Sequence, residues 1–152
     1  SFTSAQASFW IFSGLMGLSL SYIFLAYTGT SIARVFLITS GSFGALSLFG
    51  YTTKKDLSAW GSFLFMGLIG IILASIVNIF IGSSGMQFGI SVLGVLIFAG
   101  FTAYDTQQIK QIYYQGDSAD VSGRKAIMGA LRLYLDFINL FILLIQLFGS
   151  RR

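Results

Sequence analysis

The chain has 152 residues, of which 55% are apolar and 9% charged, with a net charge of +4 and no proline, cysteine, histidine or glutamate. Soluble domains carry about a quarter charged residues, so this composition reads as a membrane protein. Without Cys or His there is no disulfide, no thiolate nucleophile, no ordinary zinc site and no Ser-His or Cys-His pair, which leaves aspartate to carry acid–base or cation chemistry.

The charges are bunched: residues 1–33, 35–53, 57–104 and 137–150 carry none. A stretch of 48 uncharged residues, 57–104, is more than twice the ~20 that cross a hydrocarbon core, so it folds back on itself. The first span is expected over 6–27, ending at the turn-like Thr28-Gly29-Thr30-Ser31. The second runs 31–49 and stops at Gly50, before the charged loop Thr52-Thr53-Lys54-Lys55-Asp56. The third, 59–81, would be about 34 Å long at helical rise, and Gly82-Ser83-Ser84-Gly85 breaks it. The fourth covers 86–114, its helical pattern continuing past Asp105 and Lys110 to Tyr113 and Tyr114, with turn residues at Gln115-Gly116-Asp117-Ser118. The fifth, 123–148, opens with Arg124 and Lys125 and carries beyond them only the charges of Arg132 and Asp136, read as facing inward. Runs this long lack the alternation of a membrane barrel, so the fold class is all-α: a polytopic transmembrane helix bundle of about five spans in a single transmembrane domain, 1–152.

The loops with Lys54 and Lys55 and with Arg124 and Lys125 are two spans apart and share a side, which the positive-inside rule makes cytoplasmic. These cations flank apolar spans, which argues for membrane orientation and against nucleic acid. A fully crossing fifth helix then puts Arg151 and Arg152 on the other side; either that helix re-enters, or two terminal cations do not override four earlier ones, and the second is preferred. The sequence begins at Ser1 with no basic leader region, so an N-terminus lying upstream, or processed, is expected. The pairs Gly14/Gly17, Gly41/Gly44, Gly67/Gly70 and Gly85/Gly89 put small residues on single helix faces, where backbones could approach closely.

Asp105 and Asp136 carry the most information, because an ionisable group inside a span costs about 2.5–3.5 kcal/mol or more. In an antiparallel hairpin of spans four and five the two are equidistant from the turn near 120, so their carboxylates can face each other. Such a pair in low dielectric does not ionise both members cheaply and shares a proton; fully ionised, it offers hard oxygen ligands to Ca²⁺. Protons and a divalent cation would compete for one site. The bland alternative pairs Asp136 with Arg132 four residues earlier and leaves Asp105 at the surface near Lys110. Asn139 shares the Asp136 face and could orient it. Tyr104 and Tyr134 adjoin the two aspartates and could hydrogen-bond there, or join Tyr113 and Tyr114 in an interfacial belt. Asn78 and Gln146 are expected to hydrogen-bond between helices, Arg34 to snorkel, and Lys54, Lys55, Asp56, Asp117 and Asp120 to be solvated.

The run Ala103-Tyr104-Asp105-Thr106-Gln107-Gln108-Ile109-Lys110, with Leu133-Tyr134-Leu135-Asp136-Phe137-Ile138-Asn139-Leu140-Phe141 and the loop Lys54-Lys55-Asp56-Leu57-Ser58, resembles the signature of the Bax-inhibitor family of transmembrane proteins, in its bacterial branch. The resemblance implies seven helices with the last one central, the five spans here corresponding to the third through seventh. It also implies a pH-sensitive calcium leak in the inner membrane, with Asp105 and Asp136 at the positions of two facing aspartates, and no resident cofactor. Some bacterial relatives are linked to a membrane-anchored ATP-dependent protease, so a second expectation is a regulator or interaction partner of such a protease that moves no ion. An aspartyl intramembrane protease also uses paired aspartates, one after Tyr, but its second motif, Gly-x-Gly-Asp, and its proline motif are missing here; the chain is expected not to be an enzyme.

Overall fold

In lipid a spanning backbone must satisfy its own polar groups, and helices do so within one segment. The computed structural model describes residues 2–112 and 116–151, and the helices among them are Phe2–Leu20 (α1), Tyr22–Ala26 (α2), Gly29–Thr52 (α3), Ser58–Ile81 (α4), Ser84–Ile112 (α5) and Ala119–Phe148 (α6). Taking α1 and α2 as one segment, five are long and apolar enough to cross a membrane. The first expected span is divided at Ser21, whose N–H and hydroxyl both reach the Leu18 carbonyl, at 3.2 and 2.7 Å. A serine competing for backbone in this way loosens a helix.

Polar residues set the other boundaries and carry the helices beyond the apolar windows. Thr28 accepts from the Ser31 N–H at 3.2 Å and caps α3. Gly82, at φ 69°, ends α4 in the left-handed conformation that glycine takes without a Cβ penalty. Ser83 accepts from the Met86 N–H, opening α5, and Ser118 accepts from the Val121 N–H, so α6 starts at Ala119 with Asp120 in its positive first turn. Tyr113, Tyr114 and Arg152 lie outside the described residues.

The α5–α6 hairpin forms the centre: α3 packs on both helices, α4 on α5, and α1 on α6. The last helix is central, as expected, and shares that place with α5. The expected glycine contacts are corrected. Gly14, Gly17, Gly41, Gly44, Gly70 and Gly89 face open space, Gly85 meets only Ser83 of its own turn, and Gly67 alone of those pairs touches another helix, at Ile97. Spacing along one helix does not say which face is inward. The close approaches fall at Gly50 under the Ala103 backbone, Gly61 under the Tyr104 ring, Gly94 against Leu143, Gly100 against Leu64 and Gly129 against Ile109.

Hydrogen bonds tie the connections together at both ends. Around the 116–118 connection, Lys125 Nζ donates to the Ile112 carbonyl and pairs with Asp117 at 2.6 Å, and the Phe2 N–H donates to Asp120. At the opposite end the Thr28 N–H donates to the Ser150 carbonyl, the Ser150 N–H donates to Ser31 Oγ, and the Arg151 guanidinium lies over the Tyr27 ring. Helix α6 therefore runs unbroken from one end of the bundle to the other, as a crossing helix would and a re-entrant one would not.

Candidate functional site

Asp105 on α5 and Asp136 on α6 sit at matching heights of the central hairpin, only 8% and 6% exposed, with their side chains interacting. Asp136 Oδ2 is buried and makes no hydrogen bond. Both residues line a groove of about 1050 Å³ bounded by α4, α5 and α6, whose walls are mostly aliphatic and phenyl side chains. Arg132, Asn139 and Gln146 of α6 and Gln87 of α5 supply most of its polar lining. A smaller recess of about 470 Å³, lined by Ser84, Ser91 and Arg151, shares Gln87 and Gln146 with it. Polar groups thus run from the carboxyl pair towards the end of the bundle that holds the C-terminal residues.

The bland pairing of the aspartates does not occur. The ion pairs among the described residues are Arg124 with Asp120 at 3.2 Å and Lys125 with Asp117 at 2.6 Å, whereas Arg132 is exposed on the groove wall. Lys110 turns away from Asp105, donating to the Tyr51 carbonyl at 2.7 Å and lying over the Tyr51 ring. Asp120, expected to be solvated, is exposed while pairing with Arg124 four residues on along α6, whereas Asp117 is half-buried against Lys125 where the hairpin connection folds back on α6. The solvated reading does hold for Lys54, Lys55 and Asp56, which are exposed. There the Ser58 N–H donates to the Asp56 carboxylate at 3.0 Å, and this backbone bond, reinforced by the Ser58 side chain, holds its pKa below the ordinary 3.8.

The expected helpers of the aspartates spend their polar groups elsewhere, although Asn139 shares the groove with Asp136. Asn139 Nδ2 donates to the Leu135 carbonyl at 2.8 Å instead of orienting Asp136. The Tyr104 hydroxyl lies against Gly61 of α4, and the Tyr134 ring makes edge contacts with Phe9 and Phe12 of α1. Each tyrosine neighbours an aspartate in sequence, but adjacent helical residues point about 100° apart. Asn78 makes the expected link between helices, its Nδ2 donating to Gln87 Oε1 at 3.4 Å while its Oδ1 accepts the Ser83 N–H; Gln146 is exposed in the groove, and Arg34 is exposed on α3.

Gln107, read from sequence only as part of a motif, is 4% exposed and holds the α3–α4 loop: its Oε1 accepts the Leu57 N–H at 2.8 Å and its Nε2 donates to the Lys55 carbonyl at 2.7 Å. Four residues after Ala103, it shares a helix face with the contact at Gly50, a spacing that is visible in the sequence.

The whole chain, residues 1–152, matches a family described as inhibitor of apoptosis-promoting Bax1. It is 53% identical over 149 residues to the uncharacterized protein RP147 of Rickettsia prowazekii, covering 98% of this chain and 63% of that one. It is 53% identical over 146 residues to the Escherichia coli inner membrane protein YbhL, covering 95% and 62%. An uncharacterized membrane protein of Streptococcus pyogenes is 46% identical over 146 residues, covering 96% and 63%. The chain therefore spans less than two thirds of the length of these relatives.

Proposed function

The chain belongs to the Bax-inhibitor family of membrane proteins, and from that premise we propose that it forms the ion pathway of a pH-sensitive calcium leak in a bacterial inner membrane. The reading rests on one observation: two buried carboxyls that interact at the wall of a large groove, one of them with an oxygen left without a hydrogen bond among the described residues. A buried polar atom left unpaired is costly, and either a proton or a cation relieves that cost. Ca²⁺ takes six to eight oxygen ligands, and no cluster of three or more acidic, His or Cys groups occurs among the described residues. Two carboxylates completed by amide, carbonyl and water oxygens suit brief occupancy during passage, not storage. Arg132 on the same wall opposes cations. With the proton shared, the pair carries less charge and holds α5 and α6 together; its loss frees charge for the cation and opens the groove.

Calcium flux through the purified chain in liposomes should rise with pH, and Asp136→Asn should cut it about tenfold or more, the effect of losing one charge-assisted contact worth about 1.5 kcal/mol. Unchanged flux and unchanged pH response in that variant would remove the reading. A stoichiometric protease partner that survives loss of both aspartates, in a chain passing no ion, would favour the regulatory role instead.

A further inference from the structure

The turn of α5 that carries Asp105 is held from behind. At 100° per residue, positions 103 and 107 share a face and position 105 lies about 160–200° away from both. On the shared face α5 meets α3 and the loop after it. Gly50, buried, leaves room for the Ala103 backbone, which a Cβ would strike, and one turn on the Gln107 amide spends both its ends on loop backbone, accepting from the Leu57 N–H and donating to the Lys55 carbonyl. Leu57 is itself buried, and Gln108 Nε2 reaches Ser58 Oγ at 3.1 Å. Two oppositely directed hydrogen bonds to fixed backbone groups restrain rotation as well as sliding, because either motion breaks at least one of them.

We propose that Gln107 is a positioning residue that couples the 53–57 loop to the carboxyl pair, holding α5 at the rotation where Asp105 meets Asp136. The inference rests on the reading of that pair as the proton and cation site. Few other charges act there. Arg132 faces the pair from α6, while α1 and α4 carry no ionisable side chain. On α3, Arg34 lies near the far end and Tyr51 is engaged by Lys110. Tyr104 and Tyr134 point to α4 and α1. A change in pair protonation after the loop is loosened therefore comes from the distance between the carboxyls.

The experiment is an infrared titration of the purified chain in lipid bilayers, following the protonated-carboxyl band that Asp136→Asn removes. Gln107→Met keeps an unbranched side chain of similar length but makes neither loop bond. Its midpoint should move by about 0.5 pH unit or more, since separating the carboxyls changes how each ionises. Leu57→Gly, which empties the buried seat of the loop without touching α5, should shift the midpoint in the same sense, and Gln111→Ala, at an exposed position of α5, should leave it in place. An unmoved midpoint in both Gln107→Met and Leu57→Gly overturns the coupling, even if Asp136→Asn abolishes calcium flux as the leak requires. A moved midpoint in a chain that passes no calcium supports the coupling and removes the leak instead.

Discussion

At the scale of single residues, the informative side chains are those whose polar atoms have one defined partner or none. Asp56 shows the first case. Its carboxylate accepts the Ser58 N–H, so the charged form is favoured in the folded loop and its pKa lies below 3.8. A depressed folded pKa means the bond is fully present above the unfolded value and is lost as pH falls through the lower, folded one. The Ser58 amide proton resonance should therefore titrate with a midpoint below 3.8, and Asp56→Ala should abolish that titration; a midpoint at or above the ordinary value would mean that the bond does not form. Asp136 shows the second case, with a buried oxygen that has no partner. The sequence made both aspartates of the pair visible, because charge inside a span is costly and equal distance from a turn is simple arithmetic. It did not show that Tyr104 and Tyr134 turn away or that the Asn139 amide bonds its own helix, since rotamer and helix rotation follow from neighbours distant in the chain.

At the scale of helices, packing depends on which glycines face inward, and composition does not reveal that. Gly41 and Gly44 of α3 meet nothing within 4 Å, while Gly50 of the same helix lies against the Ala103 carbonyl. The same substitution should then act in opposite directions along one helix. Gly50→Ala forces backbone against backbone and should destabilise the bundle by about 1–3 kcal/mol, the range for overpacking. Gly41→Ala fills open space and removes glycine's helix penalty, worth up to about 1 kcal/mol. Reversible unfolding in mixed micelles, followed by circular dichroism, gives both values; equal effects at the two positions would contradict the α3–α5 contact. The first three spans were legible from charge-free length and the last two from apolar runs interrupted by isolated charges, and each boundary was legible to within a few residues. The misjudged ends belong to polar caps such as Ser118, which lie outside any apolar window yet begin the helix.

For the whole molecule, the arrangement follows from crossing number and from what ties each end. Large side chains such as Phe63, Phe65, Met66 and Phe80 of α4 are more than half exposed, which water would penalise and lipid tails do not. The basic loop at 53–57 is bonded to the end of α5 through Gln107, whereas Ser150 and Arg151 are bonded to the α2–α3 turn at the opposite end. Lys54 and Lys55 of the 53–57 loop, with Arg124 and Lys125 near the start of α6, outnumber the two arginines at the end of the sequence, so the positive-inside rule predicts that this end faces the cytoplasm. The chain has no cysteine, so single cysteines introduced at Lys54, Ser83 and Ser150 report sidedness without background. An impermeant maleimide added to intact spheroplasts should label the Ser83 and Ser150 positions and leave the Lys54 position unlabelled until the membrane is opened. Labelling of Lys54 together with either of the other two would place both ends of the bundle on one side, and the groove from the carboxyl pair towards Arg151 could then not serve as a path across the membrane.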